Sequence, residues 1–280
     1  MRKGFTAAAA TAFVALAAPA MGQEADSESS VYDGDWLSIG AGVGYGPSYD
    51  GSDDYVAYVM PVVQGNLGGI GIAPQPGGFS LDFLPDPDSG IGFDLGPSVR
   101  MRSNRARQIE DPVVRSLGKL DHAVEVGPHV GISVSKVFHE YDSLSFGADV
   151  RWDVAGAHKG MVIAPSLTYF TPLNRGVAVA LSFNTEYADG KFADYYYSVT
   201  PAQSVASGLP AFDAGKGFTK AGVTLIGGID LNGNLLDGGL ALVFGAGYSR
   251  MLGDAKDTPF TSVRGDADQL FGAIGLGYTF

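Results

Sequence analysis

Apolar and polar residues alternate with a period of two through most of this chain. In WLSIGAGVGY, Leu37, Ile39, Ala41, Val43 and Tyr45 share one face, opposite Ser38, Gly40, Gly42 and Gly44. In IGFDLGPSVRMR, Ile91, Phe93, Leu95, Val99 and Met101 alternate with Asp94, Ser98, Arg100 and Arg102. Val124, Val126, Val130, Ile132 and Val134 oppose Glu125, His129, Ser133 and Ser135. Leu144, Phe146, Ala148, Val150 and Trp152 oppose Asp149, Arg151 and Asp153, and Val177, Val179, Leu181 and Phe183 oppose Ser182, Asn184 and Glu186. An amphipathic helix would need apolar residues three and four apart, so these segments are strands. Further candidates are 55–66, 69–84, 160–171, 192–199, 217–231, 236–251 and 268–280, which makes twelve in all.

An all-β chain of this pattern has two architectures open to it. A soluble sandwich turns its polar faces to water and its apolar faces to a second sheet. A transmembrane barrel turns the apolar face to lipid and the polar face to a wet lumen. Aromatics near strand ends (Trp36, Tyr45, Tyr169, Tyr187, Tyr248, Tyr278), which would form interfacial girdles, favour the second, as do the absence of cysteine and a predicted N-terminal signal peptide. The predicted fold is therefore a transmembrane antiparallel β-barrel over 35–280. Twelve strands are favoured, and ten remain possible if 192–199 belongs to a loop. Short links near 139–142, 172–176 and 231–235 read as periplasmic turns. Those at 102–121, 188–216 and 252–267 read as extracellular loops.

Composition adds to this picture. The chain has no cysteine, a net charge of −12 and a mean hydropathy of +0.10. The acidic balance argues against a nucleic-acid partner. Arg2 and Lys3, the apolar run from Phe5 to Ala18 and small residues up to Gly22 predict a cleaved signal peptide over 1–22. Beyond it, no run of about 18 apolar residues offers a helical span. Residues 23–34 read as a disordered periplasmic lead-in. Leu270, Ile274, Leu276, Tyr278 and Phe280 share a face in the last strand, whose natural partner is strand 36–46, since an open edge in lipid leaves backbone groups unpaired. Tyr278 and Phe280 also resemble the C-terminal signal read by the barrel-assembly machinery.

No enzyme is predicted. The glycines of GAGVGYG are followed by Pro47 and an acidic loop rather than a helix, so they read as small side chains in a crowded interior and not as a phosphate site. His122, His129, His139 and His158 lack metal-ligand spacing. His129 and Ser133 share a face but stand about 13 Å apart, and no G-x-S-x-G occurs. No cofactor is implied. The DGSDDY loop, with Asp50, Asp53 and Asp54, is either a solvated acidic turn or a cation site bridging to lipopolysaccharide. The candidate lumen-lining residues are Asp94, Arg100, Arg102, Glu125, His129, Asp149, Arg151, Asp153 and Glu186. Their mixed signs favour pairing that plugs the lumen over a narrow polar path.

Several stretches carry a resemblance. GAGVGYGPSYDGSDDY, PVVQG, LGPSVRMR, RWDVAGAHKG, SVTPAQSVASGLPAFDAGKGFTKAGV, GYSRMLGDAKDTPF and the closing GYTF follow one another along the chain. In these the chain resembles the MltA-interacting protein/OmpV family of Gram-negative outer-membrane proteins. The resemblance implies an outer-membrane barrel bounded by lipid and lipopolysaccharide. It also implies a scaffold linking a lytic transglycosylase to a murein synthase, or an envelope-integrity protein. It supplies no catalytic residues. A pore or uptake channel for small solutes is the alternative.

Overall fold

The computed structural model describes residues 30–85 and 90–280. The expected signal peptide, and the lead-in up to residue 29, lie outside the described residues. Twelve strands form the wall: β1 (Trp36–Pro47), β2 (Tyr55–Leu67), β3 (Ile70–Gln75), β4 (Gly78–Asp82), β5 (Ile91–Arg102) and β6 (Ala123–Ser135). They continue with β7 (Ser143–Asp153), β8 (Met161–Asn174), β9 (Val177–Ala188), β10 (Gly217–Asp230), β11 (Gly239–Met251) and β12 (Asp268–Thr279). Each pairs antiparallel with its neighbours in sequence, and β12 closes on β1 to complete the barrel.

The seam explains the glycines of β1. Gly40, Gly42 and Gly44 pair with Gly277, Gly275 and Ala273, and a Cβ at Gly42 would come within 2.6 Å of the Ile274 carbonyl oxygen. Ser38 and Thr279 hydrogen-bond at 2.6 Å on the inner side, and the Phe280 N–H donates to Leu37. Backbone pairing along this seam runs from Leu37 and Phe280 to Tyr45 and Gly272, which closes the edge that lipid would otherwise meet.

The apolar face lies outside. Phe93, Phe146, Phe183 and Ile274 are each at least half exposed, whereas Glu125, His129, Asp149 and Glu186 on the opposite face are buried. A water-soluble protein inverts that arrangement. Here the alternation places lipid outside and the charged groups within.

Two strand assignments need correction, and their errors offset. Residues 69–84 form not one strand but a hairpin, β3 and β4, turned at Pro76 and Gly77, where Gly77 has φ +78°. Residues 192–199 are not a strand. They lie largely in helix α2 (Gly190–Tyr197), whose first turn is capped by Asp189 accepting the Phe192 N–H. Twelve strands result, ten of full length and one short hairpin. The end of the expected disordered lead-in is also ordered: Val31–Asp33 is a 3-10 turn, capped by Ser30 and tied to Leu236 by the Val31 N–H.

Short turns join the strands at the end bearing the termini. Longer loops cross the opposite end and carry α1 (Pro112–Ser116), α2, α3 (Pro201–Ser207), α4 (Gly253–Asp257) and α5 (Pro259–Ser262). The main hydrophobic core sits there rather than inside the barrel: Tyr49, Val114, Phe192, Tyr196, Tyr197, Leu209 and Phe260 pack together over the strand tops Val162, Ala188 and Met251.

Candidate functional site

Beneath this cap the lumen is crossed by ion pairs. Arg102 at the top of β5 reaches Glu125 on β6 through Nε (2.6 Å) and Glu186 on β9 through Nη2 (2.6 Å). Arg100 also meets Glu186, at 3.2 Å. Since β5 and β9 lie four strands apart in the wall, these contacts span the interior rather than follow it. Arg151 joins Asp149 at 3.2 Å and Glu125 at 3.7 Å, and His129 Nδ1 lies 3.0 Å from Asp149. Asp50 comes down from the β1–β2 loop to Lys220 at 3.4 Å and Arg102 at 3.9 Å.

Four fixed cations, Arg100, Arg102, Arg151 and Lys220, thus face four carboxylates, Asp50, Glu125, Asp149 and Glu186. Burial of single charges would be costly, and mutual pairing offsets that cost. The layer is also locked from above. The Arg102 guanidinium lies 4.7 Å from the Phe192 ring, and His158, descending from the β7–β8 loop, stands 3.3 Å from Glu125 and packs edge-on against Phe192.

The cap is held by capped helices and buried polar contacts. Asp111 accepts the N–H groups of Val113 and Val114 at the start of α1 and two hydrogen bonds from Arg264. Burial alone would raise its carboxyl; those N–H groups and Arg264 outweigh it and hold the group below the usual carboxylate range. Burial pushes the Tyr49 hydroxyl up to about 12 and lowers Arg105 to about 10. Arg105 still carries its charge at neutral pH, over the Phe260 ring and donating to the Tyr196 carbonyl.

The candidate lumen residues divide accordingly. Arg100, Arg102, Glu125, His129, Asp149, Arg151 and Glu186 come together in one network. Asp94 makes no ion pair with it among the described residues and lies half-buried opposite Gly131, within electrostatic reach of His129. Asp153 turns to the β7–β8 loop instead, accepting the Ala155 and Lys159 N–H groups. Tyr278 and Phe280 lie on the outer face with ring centroids 4.7 Å apart. Asp50 joins the lumen network, while Asp53 is exposed. Sequence reasoning missed Lys220, His158 and the Phe192 and Tyr196 rings, which lie 4.7 and 5.8 Å from the Arg102 guanidinium. A signal existed for the first: Lys220 is opposite Glu186 in the β9–β10 register, a cross-strand pair of opposite charge.

The other side of the lumen is different in kind. The inward residues of β1, β11 and β12 are largely glycine and alanine, and Gly40, Gly42, Ala241, Ala273 and Gly275 remain partly accessible. Side chains this small leave that side of the lumen as a less filled chamber.

The family profile described as MltA-interacting protein matches residues 39–280. No curated protein matches the sequence. Among solved structures the chain is similar to an outer membrane channel from Pseudomonas putida F1, with 10% identity, 92% of this chain and 100% of that chain covered, and a TM-score of 0.44. It is also similar to outer-membrane expressed OmpT of Vibrio cholerae, with 7% identity, 88% and 97% coverage and a TM-score of 0.34.

Proposed function

The chain belongs to the MltA-interacting protein family, and from that premise we propose that this outer-membrane barrel is a closed, non-enzymatic scaffold for murein-remodelling enzymes. The observation that carries the closed reading is the Arg102–Glu186 contact, which ties strands four apart across the lumen under the helical cap. An open pore keeps its polar wall free to exchange with passing solute, whereas here the wall charges neutralise one another. Barrels of this kind carry short turns in the periplasm and long loops outside, so the cap faces the exterior and the termini face the murein. The family description names a partner, MltA, and a lytic transglycosylase bound on the periplasmic side, with a murein synthase beside it, is the assembly this supports.

A second reading, an uptake channel for small solutes, draws on the accessible glycine wall of β1 and β12. Retention separates the two. The purified barrel, immobilised through an extracellular loop, is expected to hold back a lytic transglycosylase and a murein synthase from a periplasmic extract. If neither enzyme is retained while radiolabelled solutes enter liposomes carrying the barrel, the scaffold is wrong.

A further inference from the structure

The wall is not equally complete all round. β2 runs from Tyr55 to Leu67, yet its ladder with β3 covers only Gly65–Leu67. Among the described residues, Tyr55–Gln64 have no strand partner on that edge. The β3–β4 hairpin is too short to supply one: its tip, Gln75–Gly78, stops opposite Arg100 of β5. Among the described residues, neither β3 nor β4 stands above that tip between β2 and the top of β5, which leaves a window about two strands wide, roughly 10 Å. The Asp50 N–H, bonded at 2.9 Å to the Asn104 side chain, roofs it.

The sequence is adapted to this gap. Pro61 on β2 and Pro74 on β3 each withdraw a donor, and proline in sheets belongs to edges. Val59, next to the opening, is 76% exposed, against 51% for Phe183 on a fully paired strand. Open edges are not tolerated against lipid tails unless something satisfies or lines them.

Behind the window lies the uncharged side of the lumen. Tyr58 and Met60 point inward over Gly44, whose Cβ would touch both, and Phe271 lies across Gly46 and Gly245. Tyr58 keeps 38% exposure although it faces the inside, so the chamber has room in front of it. Beside the window's sill is Arg100, whose Cγ would be 3.8 Å from a Cβ on Gly77. It is the most exposed arginine of the ionic network, at 16% against 3% for Arg102 and Arg151.

We propose that this window admits a long-chain carboxylate from the outer leaflet, its tail against Tyr58, Met60 and Phe271 and its head beside Arg100. A gap of this width passes one hydrocarbon chain and not the several chains of a bilayer lipid. The apolar inner surface accepts the tail, and the carboxylate supplies acceptors to the unpaired edge and to the arginine. Lateral entry needs no passage through the ionic layer, so it is compatible with a barrel closed from end to end and is tested separately from the scaffold.

The test is photolabelling of the full chain in phosphatidylethanolamine–phosphatidylglycerol vesicles with hexadecanoic acid carrying a diazirine on its tail. Adducts mapped by mass spectrometry are expected at Tyr58, Met60 and Phe271, in addition to lipid-facing Val59 and Ile274. Ala273→Phe, which fills the space in front of Tyr58, should reduce the inward adducts about tenfold and spare the outward ones. The methyl ester of the probe should label the inward positions less. Adducts confined to the outer face in the unaltered protein would overturn the proposal, whether or not the variant folds. So would inward labelling that is unchanged in Ala273→Phe, equal for the ester, or blocked by a co-purified multi-chain lipid.

Discussion

Glu186 is held by two cations and a hydroxyl: Arg100 and Arg102 contact its carboxylate, and the Thr219 hydroxyl donates to it at 2.9 Å. Removing one member of such a set leaves the others buried and uncompensated, at a cost of about 3–5 kcal/mol. Glu186→Gln is therefore expected to lower the temperature at which the barrel loses its compact, fast-migrating band on unheated gels. An unchanged transition would show that the arginines do not depend on the Glu186 charge for their stability in the lumen. Asp142 works in a different way at the terminal end. It accepts N–H groups of Val137, Phe138 and His139 and the Tyr169 hydroxyl. Burial would raise its carboxyl, but the Tyr169 hydroxyl and these N–H groups outweigh it and hold the group below the usual range. A depressed folded-state value stabilises above the unfolded carboxylate value of about 3.9 and is lost as pH falls through the folded value. The difference in thermal stability between the unaltered protein and Asp142→Asn should be full at pH 7 and shrink below about pH 4. A constant difference across that range would remove Asp142 from the turn's stability.

Strands are where the sequence spoke most clearly, because period two survives any detail of packing when one face meets lipid and the other meets charge. Phe146 pairs with Ile132 and Leu167 on the outer face, and Phe146→Arg should cost about 2–4 kcal/mol and deplete the protein from the outer membrane. Near-normal levels of the variant would reverse the facing assignment. The closing strand carries a second prediction: deletion of Phe280 should leave the chain in the periplasm, and normal outer-membrane assembly would reduce its ring to packing. The errors arose where one pattern served two structures. FADYYYSV is rich in aromatics and reads as a strand, yet its buried members, Phe192, Ala193, Tyr196 and Tyr197, have helical spacing behind the Asp189 cap. The Pro76-Gly77-Gly78 turn within 69–84 was equally legible, since an uninterrupted strand cannot carry it. What no local pattern could give was the lumen. Inward positions could be named from alternation, but the partners of Arg102 come from β6, β9 and a loop, and shear alone decides which of them meet.

At the scale of the whole molecule, the proposed closure rests on two layers that support each other. The cap core packs down on the strand tops, and its Phe192 ring covers the Arg102 guanidinium, so the aromatic cluster and the ionic layer must loosen together. Phe192→Ala removes a fully buried ring and should cost about 3–5 kcal/mol, read as faster protease cleavage of the 189–216 loop on intact cells. Cleavage at the original rate would mean that the cap does not depend on this core. The proposed window beside β2 is compatible with that closure, because it would open to the bilayer and not from one aqueous face to the other. Closure from end to end is the central claim, and conductance in a planar bilayer measures it directly. The unaltered protein should remain silent under applied voltage, whereas a variant carrying both Arg102→Ala and Phe192→Ala should show openings. Steady single-channel currents through the unaltered protein would contradict it.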